Sequence, residues 1–294
     1  MSGDELALTH DEGFEETVET EPRHRTDWWA EARGIFWLVL AVLGFHSLIA
    51  KPFYIPSESM MPGLLVGDRL VVTKYPYGFS FVSPTFHLLP FLHGRLFGRM
   101  PERGDVVIVT PPNTDTDYIK RVIGLPGDRV AVHGGILYLN GQAVPRHFAG
   151  DRIVPLDGNT KCDSGPSPRF IFRGKGGKDF CRLPIYRETL PGGRSYDTID
   201  MGWSPGDNYA EITVPKGRVF LMGDNRDNSA DSRFPLSESG LGGPVPWENL
   251  GGRAEFITFS LDGSANWNPF TWFGAFRPGR AGHSLRPSQE ATGQ

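Results

Sequence analysis

From Gly34 to Ala50 the chain reads GIFWLVLAVLGFHSLIA, without one charged side chain. Such a run must be sheltered from water, and a helix is the form in which it satisfies its own backbone. Trp28 and Trp29 precede it like an interfacial belt. Counted from Trp28, the segment is about 23 residues, or roughly 34 Å as a helix, enough to cross a bilayer with some tilt. Two alternatives compete with a permanent anchor. A cleaved leader wants a short basic start and small residues at the cut, whereas the preceding stretch is long and acidic and Leu48 and Ala50 make a poor pair. A buried core helix is the other, because the strictly apolar run is short for a span. Arg23, Arg25 and Arg33 lie on the N-terminal flank and only Lys51 close on the far side. That asymmetry predicts a single-pass protein of the inner (plasma) membrane, its N-terminus cytoplasmic and residues 51–294 extracytoplasmic.

Residues 1–27 are acidic (Asp4, Glu5, Asp11, Glu12, Glu15, Glu16, Glu19, Glu21) and contain nothing that could form a core, so a disordered tail is expected there. Residues 28–50 are the expected span. Beyond it, 37 Gly and 25 Pro in 294 residues favour turns over long helices. Arg69–Thr73, Asp105–Thr110, Tyr118–Ile123, Arg129–His133, Ile136–Leu139, Arg218–Leu221 and Ala254–Leu261 are short and rich in β-branched or aromatic residues, which reads as strands. Asn140-Gly141 closes one of the clearest hairpins. No helical patterns alternate with these strands, which argues against a parallel α/β sheet. The predicted fold is therefore mainly β: one N-terminal transmembrane helix, then an antiparallel β-rich domain interrupted by a β/loop insertion. Its core is expected in two parts, 51–140 and 216–283, around a loop-like insertion at 141–215, with a frayed terminus at 284–294.

The formal net charge of −4, with no basic run, gives no case for nucleic acid. Cys162 and Cys181 sit in no CxxC or Cys/His pattern, so neither a metal site nor a cofactor is expected. They can form a disulfide if the domain lies outside the cytoplasm, and remain free thiols otherwise.

Three segments carry chemistry. In IPSESMMPGL, Ser59 stands between Pro56 and Pro62, on a stiff stretch able to present a hydroxyl. A serine between prolines is by itself usually a turn residue. In DYIKRVIGLPGD, strand alternation puts Tyr118, Lys120 and Val122 on one face and Ile119, Arg121 and Ile123 on the other. A lysine held in an apolar strand is disfavoured as a cation and can become a base, though strand lysines more often snorkel to water at a sheet edge. GDNRDNSADSR is a dense polar run that superficially invites calcium, but EF-hand spacing is missing. Beside an active site it can supply partners to a lysine.

IPSESMMPGLLVGD, RGDVVIV, YIKRVIGLPGD and GDNRDNSADSR, in this order behind a membrane span, resemble the bacterial type I signal (leader) peptidases, which use a Ser/Lys pair. The resemblance covers roughly residues 30–140 and 205–260. It implies Ser59 as nucleophile, Lys120 as general base, Ser57 as hydroxyl donor to the oxyanion and Ser229 as the residue orienting the lysine amine. It implies an Asp231–Arg233 ion pair in support. Phe53, Ile55, Leu64 and Ile119 would wall two shallow pockets that select Ala-x-Ala sites by steric exclusion. The implied activity is removal of signal peptides from exported preproteins through an acyl-enzyme, with membrane lipid and the export machinery as neighbours. Glu58 departs from the pattern by replacing the usual Gly between the serines, and Gly63 stands where Thr is frequent. Tyr75–Met100 and Trp267–Phe276 are apolar enough to rest on a bilayer surface.

Rival readings differ in what they require. A self-cleaving repressor with the same chemistry needs an N-terminal helix-turn-helix in place of the span. A conjugation-associated maturation peptidase shares the motifs. A silent membrane-tethered β-domain binding export partners would lack Ser59 or Lys120. A Ser–His–Asp hydrolase needs a G-x-S-x-G elbow, which is missing, and His87, His93 and His133 lie in no catalytic context.

Overall fold

The structure, a computed structural model, describes residues 27–83, 94–112, 114–162, 170–268 and 270–289. The acidic tail as far as residue 26 and residues 84–93 of the apolar stretch between Tyr75 and Met100, with His87 and His93, lie outside the described residues.

Helix α1 spans Trp28–Leu48. Asp27 caps it, its Oδ1 accepting the amides of Trp29 (3.1 Å) and Ala30 (3.3 Å). None of its residues is buried, and it is the one helix among the described residues long and apolar enough to cross a membrane. The helix stops two residues earlier than expected. Pro52 cannot continue it, and Ala50 instead begins a strand. The chain divides into an N-terminal unit ending at Leu40 and a compact unit from Ala41 onward, which carries every strand.

Those strands are β1 (Ala50–Tyr54), β2 (Asp68–Thr73), β3 (Val106–Val109), β4 (Tyr118–Gly124), β5 (Arg129–His133), β6 (Ile136–Leu139), β7 (Gln142–Ala143) and β8 (Arg146–Pro155). They continue with β9 (Ile171–Arg173), β10 (Asp179–Thr189), β11 (Arg194–Ile199), β12 (Tyr209–Thr213), β13 (Arg218–Met222), β14 (Val245–Pro246), β15 (Leu250–Ser260) and β16 (Ser288–Gln289). Seven form the principal antiparallel sheet, in the order β1-β2-β15-β3-β4-β13-β14. Its core includes Leu70, Val72, Val107, Val122, Phe220 and Leu221, each at most 0% exposed. A four-stranded sheet runs β12-β5-β6-β7. Its β6–β7 turn is Asn140-Gly141, both at positive φ (55° and 82°), the left-handed pair that a tight hairpin requires.

The segment 141–215 is not loop-like. It carries the ten-residue β8 and the eleven-residue β10, paired antiparallel in a five-stranded sheet with β9, β11 and β16. Most of β8 faces solvent on both sides, so it lacks the apolar alternation that marks a strand. Its far end, β12, returns to β5. The terminus is also more ordered than a frayed end as far as Gln289. Leu285 is buried in the cluster containing Ile55 and Met60, Arg286 pairs with Glu255, and β16 adds to β11.

Candidate active site

Ser59 lies on the connection from β1 to β2. The neck of this turn is closed by Ile55 N–H donating to Asp68 O (3.0 Å) and Gly67 N–H donating to Ile55 O (3.0 Å). Met60, Met61 and Leu64 are each 1% exposed and anchor the turn in the interior, so its prolines and methionines do more than punctuate a loop. Ser59 itself is buried, with its carbonyl accepting the amide of Asn225 at 3.1 Å. Ser57 is exposed, and its hydroxyl lies 3.4 Å from that of Ser59.

Lys120 comes to the same point from β4. That strand lies between β3 and β13, with Lys120 opposite Val107, so no sheet edge is open through which the side chain could snorkel. Its Nζ donates to Ser59 Oγ at 2.9 Å and to the carbonyl of Ile119 at 2.9 Å. Burial pushes the lysine down to about 8, while the charges of Asp231 and Asp224 pull the other way. A lysine so placed is half neutral only about one unit above neutrality, which is what a base for a serine hydroxyl needs.

The polar run Gly223–Arg233 is largely buried rather than solvated. Asp231 pairs with Arg233 at 2.9 Å and accepts the amide of Gly223 at 2.9 Å. Asp224 holds Arg121 through two bonds of 2.7 and 2.6 Å. With Asp224 and Asp231 taken up by arginines, the run is a structural clamp. Ser229 Oγ is buried and has no hydrogen-bond partner among the described residues. At Gly223 a Cβ would lie 2.2 Å from Ser229 Oγ and 2.6 Å from Ser59 O, so only glycine lets this loop meet the turn that bears Ser59.

A cleft of about 320 Å³ opens at Ser59 and Lys120. Phe53, Ile55, Ile108 and Ile119 give it apolar walls, and Ser57 is at its rim. Leu64 is not brought to it; that side chain is in the core and borders a separate, arginine-lined cavity with Met60. Cys162 and Cys181 are joined by a disulfide, their Cα atoms 6.2 Å apart. His133 is exposed on β5, its ring 5.3 Å from that of Tyr138.

The family model described as signal peptidase, peptidase S26, matches residues 28–259. The chain belongs to that family. This S26 peptidase is 37% identical over 239 residues to a Signal peptidase I of Rickettsia prowazekii (strain Madrid E), covering 77% of this chain and 79% of the relative. It is 36% identical over 232 residues to that of Rickettsia typhi (strain ATCC VR-144 / Wilmington), covering 76% and 77%. A crystal structure of a signal peptidase I from Enterococcus faecalis V583 matches at 21% identity with a TM-score of 0.27, over 53% of this chain and 97% of that one. The S26 chain is a serine endopeptidase, and its apolar N-terminal helix makes it a membrane-anchored one.

Sequence reasoning on this S26 peptidase missed Gly223, the Asn225 contact and the Arg121–Asp224 pair. Only the density of Asp and Arg in GDNRDNSADSR hinted at them, because a list of charges does not say which arginine meets which acid.

Proposed function

We propose that this membrane-anchored peptidase removes signal peptides from exported preproteins with Ser59 as nucleophile and Lys120 as general base. The observation that carries the reading is the 2.9 Å contact between Lys120 Nζ and Ser59 Oγ, made by a lysine whose charge is disfavoured by burial. In the neutral state the Lys120 amine accepts the Ser59 proton as Oγ bonds to the scissile carbonyl carbon. The oxyanion that forms is met by the Ser59 amide and the Ser57 hydroxyl. The Lys120 ammonium then protonates the leaving amine, giving an ester on Ser59, and a water deprotonated by Lys120 releases the product. Ser229 orients the amine, and the Asp231–Arg233 pair holds the loop bearing it. The buried Ser229 hydroxyl, lacking a partner, is available for that bond.

The apolar cleft suits small side chains and supports selection of Ala-x-Ala sites. The span and the charge asymmetry of its flanks support a cytoplasmic N-terminus, with the peptidase domain outside, next to the export machinery. Trp267, Phe270 and Phe273, each at least 84% exposed, support contact of the domain with lipid. The test is cleavage of a preprotein with an Ala-x-Ala site by wild type, Ser59→Ala and Lys120→Ala. Both variants are expected to lose turnover, and near-normal cleavage by either would refute the assignment.

A further inference from the structure

Glu58 stands directly before Ser59, where the family resemblance expects glycine, and one oxygen of its carboxylate reaches to another segment of the chain. Oε1 accepts the backbone N–H of Cys162 at 3.1 Å and of Lys161 at 3.3 Å, and the residue is buried. Two consecutive amides meet one oxygen where Cys162 adopts a φ of 58°, a left-handed conformation that turns neighbouring N–H groups to one side. Cys162 is bonded to Cys181 on β10, which pairs with Val154 of β8. The other end of this loop is fixed as well. Asp157 Oδ1 accepts the amides of Asn159 (2.9 Å) and Thr160 (2.7 Å), and Arg277 pairs with Asp157 at 2.6 Å. Met61 and Leu65 of the nucleophile turn pack in one apolar cluster with Cys162 and Cys181.

The turn is therefore held from two directions. On one, Asn225 takes the carbonyls of Ser59 and Glu58, through its amide (3.1 Å) and its Nδ2 (3.3 Å). On the other, the Glu58 side chain reaches the disulfide loop, a tie that glycine could not make. We infer that Glu58 is a positioning residue for Ser59 and that it acts through the Cys162–Cys181 disulfide. The cross-link keeps the two amides where the carboxylate meets them, and the carboxylate keeps the turn where Oγ meets the lysine. A buried carboxylate deprived of its donors does not stay in place, and a displacement of an ångström at a nucleophile costs on the order of a hundredfold in rate. The inference rests on the reading of Ser59 as nucleophile.

Its test compares kcat and KM for preprotein cleavage by the full chain in detergent micelles. The variants are Glu58→Ala, Glu58→Gln, Cys162→Ala with Cys181→Ala, the combination of all three alanines, and Ser59→Ala. Glu58→Ala and the cysteine pair are each expected to lower kcat about tenfold with KM little changed. Glu58→Gln, whose amide oxygen can accept the same two bonds, restores most of kcat. The combined variant is no slower than either parent, whereas independent effects would multiply to about a hundredfold. If the cysteine variant does not fold, dithiothreitol replaces it: both cystine sulfurs become thiols as the reagent closes to its cyclic disulfide. Reduction should then slow the wild type but slow Glu58→Ala no further. Full activity in Glu58→Ala, multiplying effects, or a Gln variant as slow as the Ala variant would overturn the inference. Near-normal turnover in Ser59→Ala would overturn the nucleophile assignment instead, whatever the Glu58 variants do.

Discussion

At Lys120 two requirements oppose each other, since a base must be able to shed its proton while the fold must tolerate the charge when the proton is present. Burial decides the balance, bringing the amine to about 8. In the free enzyme kcat/KM should therefore rise with pH through about 8, following the neutral fraction of Lys120, and a stopped-assay pH profile measures this limb. Stability carries the same signature. The amine titrates lower in the folded chain than its ordinary 10.5, so the unfolded state binds the extra proton between those values and folding becomes more favourable as pH rises through that window. Lys120→Met removes the buried charge. It should abolish cleavage yet raise stability at pH 7 by up to ~3 kcal/mol, a margin that shrinks between pH 8 and 10.5, as urea titrations at several pH values can show. Ser57→Ala should cost about a hundredfold in kcat with little change in KM, the usual loss for one oxyanion donor. The meeting of Ser59 and Lys120 was legible because four motifs kept their order and one lysine sat in an apolar strand. What Glu58 does was not legible, since its partners are backbone amides more than a hundred residues away, and no side-chain pattern marks a backbone donor.

The elements that deliver the site differ in how plainly they are written. β2 to β6 are short runs rich in β-branched or aromatic residues and bounded by turn chemistry, and Asn140-Gly141 names its own hairpin. β8 does not, because a strand exposed on both faces needs no apolar stripe. The family resemblance implied Leu64 at the cleft, but the turn rolls it into the core with Met60. Two outcomes belong to this scale. On β4, Ile119→Ala should widen the cleft wall and admit larger residues next to the scissile bond, read as a changed ratio of kcat/KM between substrates with Ala and Leu there. At the start of the loop after β13, Gly223→Ala should cost at least about a hundredfold in kcat. Its methyl would occupy space already held by Ser229 Oγ and Ser59 O, and crystallography or thermal unfolding of the variant would show the two segments pushed apart.

For the whole chain, the exposed apolar helix Trp28–Leu48 sets the working address. The full-length protein should resist carbonate extraction from membranes, and protease added outside right-side-out vesicles should digest the domain after residue 51 and spare a tag on the N-terminus; the reverse pattern would reject the proposed orientation. The strand order of the principal sheet has a consequence in time. β15 is made well after β2 and β3 but lies between them. The hairpin carrying Ser59 and the strand pair carrying Lys120 therefore share no continuous backbone ladder until residues 250–260 have emerged. A growing chain already tethered by its anchor carries both halves of its blade unassembled. The protease is armed only once β15 has been laid between them.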